Sequence, residues 1–392
     1  MERRQVYFDN ASTTPLHPRV LRAMMPYLTR DYGNPSNFYA LGHRAKKAIA
    51  NALKQLTTAL HCRPDEFIFT GSATEANNLA IAGTVRAHKS EGNRIIISAL
   101  EHKGIIAVAE ALEKEGFEII KLPVGRDGLV SLEEITKNLN DKTIIVSVTM
   151  ADSETGTLQP ISEIASLIKS FRGDRSLPYF HTDASQAAVY AEINIEKLGV
   201  DLLTLSAHKL RGPKGVGGLY LRRGLKLEPI IYGGGQQGKL RSGTENVPAI
   251  VGFGQAVELN EKYKKKGRAQ VKKLRDILEK GIFKSVKKVV LNGHPIKRLP
   301  NFLNLSIEDI EGEALLLELD EQGIMINTGS ACNSESLEPS YILTALGTPE
   351  EFIPGSVRIT LGAETTRSDV NYTLKHLPAI VERLRGMTLL VQ

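Results

Sequence analysis

The chain has 392 residues, of which 42% are hydrophobic and 24% charged, with a formal net charge of +6. That length exceeds one ordinary core and predicts two domains, and the balance of apolar to charged residues excludes a disordered chain. Its two cysteines, Cys62 and Cys332, exclude a disulfide framework and a four-cysteine metal site, and no apolar run approaches the roughly 20 residues that a membrane helix needs.

The N-terminus, M-E-R-R-Q-V-Y-F-D-N, enters a strand-like segment without the apolar core of a signal peptide, which predicts a cytoplasmic protein. Short apolar runs then alternate with helical spacing. Strands are predicted over 66–70, 94–98, 143–148, 179–182, 202–206 and 217–221, and helices over 74–88, 103–115 and 161–171. This alternation predicts an α/β fold with a mostly parallel sheet covered on both faces. Over 258–288, Leu259, Tyr263, Val271, Leu274, Ile277 and Leu278 recur at helical spacing with lysines between them. That pattern is a helix with a solvated basic face, and it marks a domain boundary. No aromatic stacking pattern accompanies the charge, so nucleic acid is not an expected partner. Strands over 289–292, 301–306 and 357–361, with helices near 312–321 and 370–385, predict a smaller α+β domain. The expected division is 15–258 for the large domain, and 1–14 with 259–392 for the small one.

Ligands in such folds gather at the carboxyl ends of strands. Thr74, His102, Ser153, Asp183 and Lys209 each follow a predicted strand. Thr74 lies in T-G-S-A-T-E (70–75), where N–H groups and a hydroxyl at a helix start make an anion site; the same pattern also serves as a plain helix cap. His102, in L-E-H-K, suits stacking on a flat heteroaromatic ring, or a structural role. Asp183, in H-T-D-A-S-Q (181–186), ends a buried strand, where a carboxylate needs a partner. A protonated pyridine nitrogen is one such partner, and a helix cap is the other reading. Gln186 is spaced to bond a ring hydroxyl.

Lys209, in S-A-H-K-L-R-G-P-K-G (206–215), has the form of a lysine that bonds an aldehyde, with Ser206 and His208 beside it as phosphate donors. The combination predicts pyridoxal 5'-phosphate. The G-G-G at 233–235 and R-S-G-T-E-N at 241–246 form a flexible segment in which Thr244 completes a phosphate cup or belongs to a generic loop. Cys332, in G-S-A-C-N-S-E-S-L-E-P-S (329–340), lies in a Gly/Ser-rich segment before a predicted helix, the setting of a reactive thiolate. Cys62 reads as a packing residue. Arg358, in G-S-V-R-I-T-L-G (355–362), offers a fork for a carboxylate or a surface ion pair.

Taken in order, G-N-P-S (33–36), G-S-A-T-E-A-N-N-L-A (71–80), E-H-K (101–103), D-A-S-Q (183–186), the Lys209 segment, R-S-G-T-E-N and the Cys332 segment resemble the pyridoxal-phosphate-dependent cysteine desulfurases of the NifS/IscS type, within the class V aminotransferase superfamily. The resemblance runs from V-Y-F-D-N-A-S-T-T-P to the last predicted helix. It implies a type I pyridoxal-phosphate-dependent transferase fold and a homodimer. It implies conversion of L-cysteine to L-alanine, with the sulfur kept on Cys332 as a persulfide for an acceptor protein, as in iron–sulfur assembly or thiolation. By motif position Lys209 bonds the cofactor, Asp183 meets the pyridine nitrogen, Gln186 meets the ring oxygen and His102 stacks on the ring. Ala73 and Thr74, Ser206 and His208 hold the phosphate, and Thr244 reaches the partner subunit's cofactor. Asn34 and Arg358 hold the substrate carboxylate, and Lys209 or His102 takes the α-proton. No resident metal is implied; Cys332 is also a candidate transient iron–sulfur ligand.

The chain departs from the family pattern at A-D-S-E-T-G (151–156), where the family has N-N-E-x-G. Ser153, in place of a cofactor-contacting asparagine, is expected to act through its hydroxyl or a water, and Asp152 to add an anion unfavourable to the ring phenolate. Lys239 stands where glycine is common. The end, M-T-L-L-V-Q, stops short of the tail that docks a scaffold protein in some relatives, which argues against that partnership. Alternatives are a selenocysteine lyase or another class V lyase, and a catalytically weak homologue kept as an assembly subunit.

Overall fold

The computed structural model describes residues 4–329 and 339–388. Near-continuous Ile, Val, Leu and Phe runs form the central strands, the pattern of a sheet covered on both faces. In chain order β1 is Val6–Tyr7, β2 Phe67–Thr70, β3 Arg94–Ser98, β4 Glu118–Leu122, β5 Thr143–Ser147 and β6 Tyr179–Asp183. They are followed by β7 Leu202–Ser206, β8 Gly217–Leu221, β9 Val289–Leu291, β10 Phe302–Ile307, β11 Ile324–Met325 and β12 Ser356–Thr360. The helices are α1 Pro18–Thr29, α2 Ala40–Leu60, α3 Ala73–Asn78, α4 Thr84–Ala87, α5 Lys103–Lys114 and α6 Leu132–Asn138. Then come α7 Ile161–Arg172, α8 Ile195–Leu198, α9 Val247–Ser285, α10 Gly312–Glu321, α11 Tyr341–Ala345 and α12 Arg367–Thr388.

Seven strands make one sheet in the order β2-β8-β7-β6-β5-β3-β4. Strands β3 to β7 pair in parallel, and β8 runs antiparallel to both β2 and β7. The alternation of side chains divides its two faces. Ile96, Val146, Phe180, Leu203 and Leu205 pack with α7. Ile95, Ile97, Ile145, Tyr179 and Leu202 pack with Ile105, Val108, Ala109 and Leu112 of α5. This is the expected α/β architecture. A second core gathers Val6 and Phe8, the antiparallel sheet β12-β10-β9, and the inner faces of α10 and α12.

The predicted strands and helices of the middle of the chain stand within about two residues of the observed ones. Strand β4 and helices α1 and α2 are among the elements without a clear sequence signal. Strand β4 is a half-exposed sheet edge, α1 buries only Val20, and α2 buries mainly small residues such as Ala45, Ala48 and Ala52. The basic helix differs in its start: α9 begins at Val247, not at residue 258. Gly252 and Gly254 hide this in the sequence because glycine usually weakens a helix. Here they permit close crossing, since a β-carbon at 254 would lie 2.7 Å from Ala52 Cα and one at 252 would lie 2.7 Å from Met24 Sδ. One helix therefore serves both cores, with Phe253, Ala256 and Val257 in the first and Val271, Leu274, Leu278 and Ile282 in the second. Among the described residues, no helix is long and apolar enough to cross a membrane.

A buried carboxylate locks α7 to the sheet. Asp201, 1% exposed, accepts from Arg172 Nη1 at 2.7 Å and from Phe180 N at 2.8 Å, and it pairs with Arg222 at 2.9 Å. Removing it leaves the buried Arg172 charge uncompensated. Asp201→Ala is expected to cost about 3–5 kcal/mol, measured as a lower midpoint in urea unfolding.

Candidate active site

The carboxyl ends of β3, β5, β6 and β7 lie along one edge of the parallel sheet, and the predicted residues project from the turns there. Asp183 ends β6 and is 7% exposed. Its oxygens are held by neutral donors, Oδ1 by Ser185 N at 2.8 Å and Oδ2 by Asn77 Nδ2 at 2.7 Å. His102 caps α5 by accepting from Gly104 N at 3.0 Å through Nδ1, while its outer side faces solvent. A β-carbon at Gly104 would lie 3.2 Å from both His102 Nδ1 and Thr74 Cγ2, so these two side chains meet over that glycine. Loss of water on the protein side of the imidazole pushes its pKa down; Lys209 and Lys103 add to this, and Asp183 opposes it. Thr74 and Ala73 open α3, whose cap is Ser72 Oγ accepting from Glu75 N at 3.0 Å.

Ser206, His208 and Lys209 follow from β7 in one turn. Ser206 is buried. Burial pushes His208 down to about 4, leaving it neutral at pH 7, and its Nδ1 lies 3.0 Å from Thr13 Oγ1. Lys209 Nζ donates to the carbonyls of Ala11 and Ser12, the latter at 2.8 Å. Gln186 Nε2 donates to the same Ala11 carbonyl at 2.9 Å. From the second core Arg358 reaches the same segment, with Nη2 at 2.8 Å from Asp9 Oδ1 and 2.7 Å from Ser12 Oγ. Its Nη1 donates to the Ser153 carbonyl at 2.7 Å. The stretch Asp9–Thr13 thus holds Arg358, Lys209, Gln186 and His208 together. No local pattern marks this stretch, because half of these contacts use backbone carbonyls that every residue carries and the rest reach partners far along the chain. Asn77 was also missed, lying inside an ordinary helical pattern.

The 151–156 departure has a local explanation. Asp152, 1% exposed, spends its carboxylate within its own turn. Oδ1 accepts from Glu154 N at 2.9 Å and Thr155 N at 2.6 Å, and Oδ2 accepts from Thr155 Oγ1 at 2.5 Å and Thr157 N at 2.9 Å. Burial raises its pKa against these bonds. The carboxylate is occupied by the turn that carries Ser153. Lys239 adopts φ 69°, the left-handed region that suits glycine.

Asn34 and Thr244 are exposed and lie on separate loops. Asn34 Oδ1 accepts from Ser36 N at 2.9 Å. The Thr244 loop is tied to α3 by Arg241 and Glu75 at 2.9 Å. Cys332 lies outside the described residues. Cys62 packs against the first core, and burial pushes its thiol up to about 12, which suits a packing residue. Among the described residues no His, Cys, Asp and Glu cluster could hold a metal.

The donor set fits pyridoxal 5'-phosphate. A buried carboxylate held only by neutral donors suits a pyridinium N–H. Beside it stand an imidazole open on one side, a helix start and a lysine amine resting on carbonyls.

The family model described as aminotransferase class-V matches residues 6–373. The chain is 46% identical over 387 residues to the cysteine desulfurase IscS of Methanosarcina thermophila, covering 99% of this chain and 94% of that protein. Among solved structures it is similar to a NifS-like protein, with a TM-score of 0.91, 33% identity, and coverage of 97% of this chain and 100% of that one. It is also similar to one described as SspA in complex with cysteine, with a TM-score of 0.81, 32% identity, and coverage of 92% and 100%.

Because the Asp152 carboxylate is engaged within its turn, Asp152→Asn is expected to leave the cofactor absorbance maximum in place. Asp152→Ala strands buried N–H groups and should lower stability by about 1–3 kcal/mol, read by urea unfolding of both variants.

Proposed function

We propose, for a chain that belongs to the aminotransferase class-V family, that it is a cysteine desulfurase. It converts L-cysteine to L-alanine and passes the sulfur through a Cys332 persulfide to acceptors such as iron–sulfur assembly or thiolation proteins. The observation that most supports this is the convergence of Lys209, Asp183 and His102 at one sheet edge, in a chain similar over its full length to proteins named IscS. In this reading residues 15–258 form the cofactor domain, and 1–14 with 259–392 form the small domain. The protein acts in the cytoplasm as a homodimer. Support for the dimer comes from α1, which exposes Leu21, Met25 and Leu28 on one face, with Tyr32, Phe38 and Tyr39 exposed beyond it.

When bound, pyridoxal 5'-phosphate supplies an electron sink for the α-carbon of an amino acid. Lys209 would bond its aldehyde, Asp183 and Gln186 would hold the ring, His102 would cover its face, and Ser153 would reach it through its hydroxyl. Ala73, Thr74, Ser206 and His208 would hold the phosphate, with Thr244 serving the partner subunit's site. The substrate carboxylate meets Asn34 and Arg358. The guanidinium is already oriented by Asp9, Ser12 and the Ser153 carbonyl, so little freedom remains to be lost on binding. Lys209 at Nζ, or His102 at its ring nitrogen, takes the α-proton. Burial lowers the His102 pKa and so favours the neutral ring, in which Nδ1 is the nitrogen without a proton because it accepts from Gly104 N. The Cys332 thiolate attacks the substrate sulfur: an S–S bond forms, the Cβ–S bond breaks, the electron pair left on Cβ takes a proton, the α-carbon recovers the one it lost, and alanine leaves.

The test is the absorbance spectrum of the purified protein before and after L-cysteine, with alanine and sulfide assayed in the same tube. Wild type should show a visible band that shifts, and alanine should appear. Cys332→Ser should keep the shift and lose at least about 100-fold in alanine formation. Turnover surviving in Cys332→Ser would overturn that role. Turnover on selenocysteine alone would favour the lyase, and absence of any cofactor band would favour the assembly subunit.

A further inference from the structure

Glu154 is a buried carboxyl that the reaction above leaves without a task. It is 5% exposed, and burial pushes it up to about 7, with Asp152 adding to the rise and Arg358 and Lys103 opposing it. Its side chain meets both borders of the Cys332 segment. On one side Ser340 Oγ donates to Glu154 Oε2 at 2.6 Å. On the other, Gly329 passes so close that a β-carbon there would lie 2.9 Å from Glu154 Cδ and nearer still to Oε2.

Both borders are held further. Ser340 Oγ also accepts from Leu343 N at 3.2 Å, capping α11, and Tyr341 Oη donates to the Glu101 carbonyl at 2.8 Å, beside His102. The backbone of Glu154 is fixed from the opposite direction. Asn304 Nδ2 donates to its carbonyl at 3.2 Å, and Arg358 Nη1 donates to the preceding carbonyl, that of Ser153. One short turn therefore contacts the guanidinium through its backbone and both ends of the thiol-bearing segment through its side chain.

We propose that Glu154 is a positioning residue for sulfur transfer: its carboxyl fixes Gly329 and Ser340, and so sets the ends of the Cys332 segment relative to Arg358 and the substrate that Arg358 holds. The inference rests on the desulfurase reading and adds to it a residue that acts on the transfer step without contacting substrate. Displacement of a reacting group by about 1 Å is enough to cost about 100-fold in rate, so a slack tether at either border reaches the chemistry.

The experiment uses the cofactor-loaded full chain as wild type, Glu154→Ala, Glu154→Gln and Ser340→Ala. Two quantities are read in a single turnover with L-cysteine: the substrate-induced absorbance change, and sulfur on Cys332 by mass spectrometry after alkylation. Glu154→Ala and Ser340→Ala are expected to keep half-saturating cysteine within about threefold and to lose about tenfold or more in the rate of Cys332 loading. Glu154→Gln, still able to accept from Ser340, is expected to recover that rate to within about threefold. Loading by Glu154→Ala at the wild-type rate would overturn the proposal. So would loss of loading in step with loss of the absorbance change, or a Gln variant as slow as the Ala one. If Glu154→Ala does not fold, Ser340→Ala decides by the same criteria, since it removes one hydroxyl. A wild type that binds cysteine without loading Cys332 would strike the desulfurase reading instead.

Discussion

The contact between Arg358 and Asp9 is the constraint on which the site depends. Both residues are largely withdrawn from water, and neither charge could stay there without the other. Asp9 is also bound by Asn327 at 3.1 Å, so the pair fixes the N-terminal stretch against two separate parts of the second core. That stretch then supplies the carbonyls on which Lys209 and Gln186 rest and the hydroxyl beside His208. The first residues of the chain thereby join a lysine from the large sheet to an arginine from the small one. The site is complete only once β12 and the N-terminus have docked.

The second organising element is the 152–157 turn. A buried carboxylate is costly unless its oxygens are occupied, and Asp152 meets this by closing a turn on its own backbone and on Thr155. Asp152 thus works inward, on the turn that carries Ser153 and Glu154, where three N–H groups and a hydroxyl meet its carboxylate.

Much of the fold was legible because its strands are nearly unbroken apolar runs, and a sheet covered on both faces leaves that mark. Asp183, His102 and Lys209 were legible for a related reason: each is a polar side chain immediately beyond such a run. What escaped was encoded differently. Asp9–Thr13 acts half through backbone carbonyls and half through side chains whose partners lie far along the chain. Asn77 is one polar residue in a helix, and nothing local says that it faces a carboxylate 106 positions away. Glu154 meets Ser340 across 186 positions, a distance no spacing rule spans. The first turns of α9 escaped because glycine reads as a break until the helix pressed against it is known.

That helix carries a consequence of its own. Leu259 belongs to the first core and Val271 to the second, and the residues between them are mostly solvated. Side-chain chemistry in this span is therefore free to drift, but its length is not. Each residue added or removed would rotate one core's apolar stripe by about 100° relative to the other and shift it by about 1.5 Å. The lysine-rich span works as a ruler: tolerant of substitution, intolerant of insertion, and able to misalign Arg358 with Lys209 without touching either.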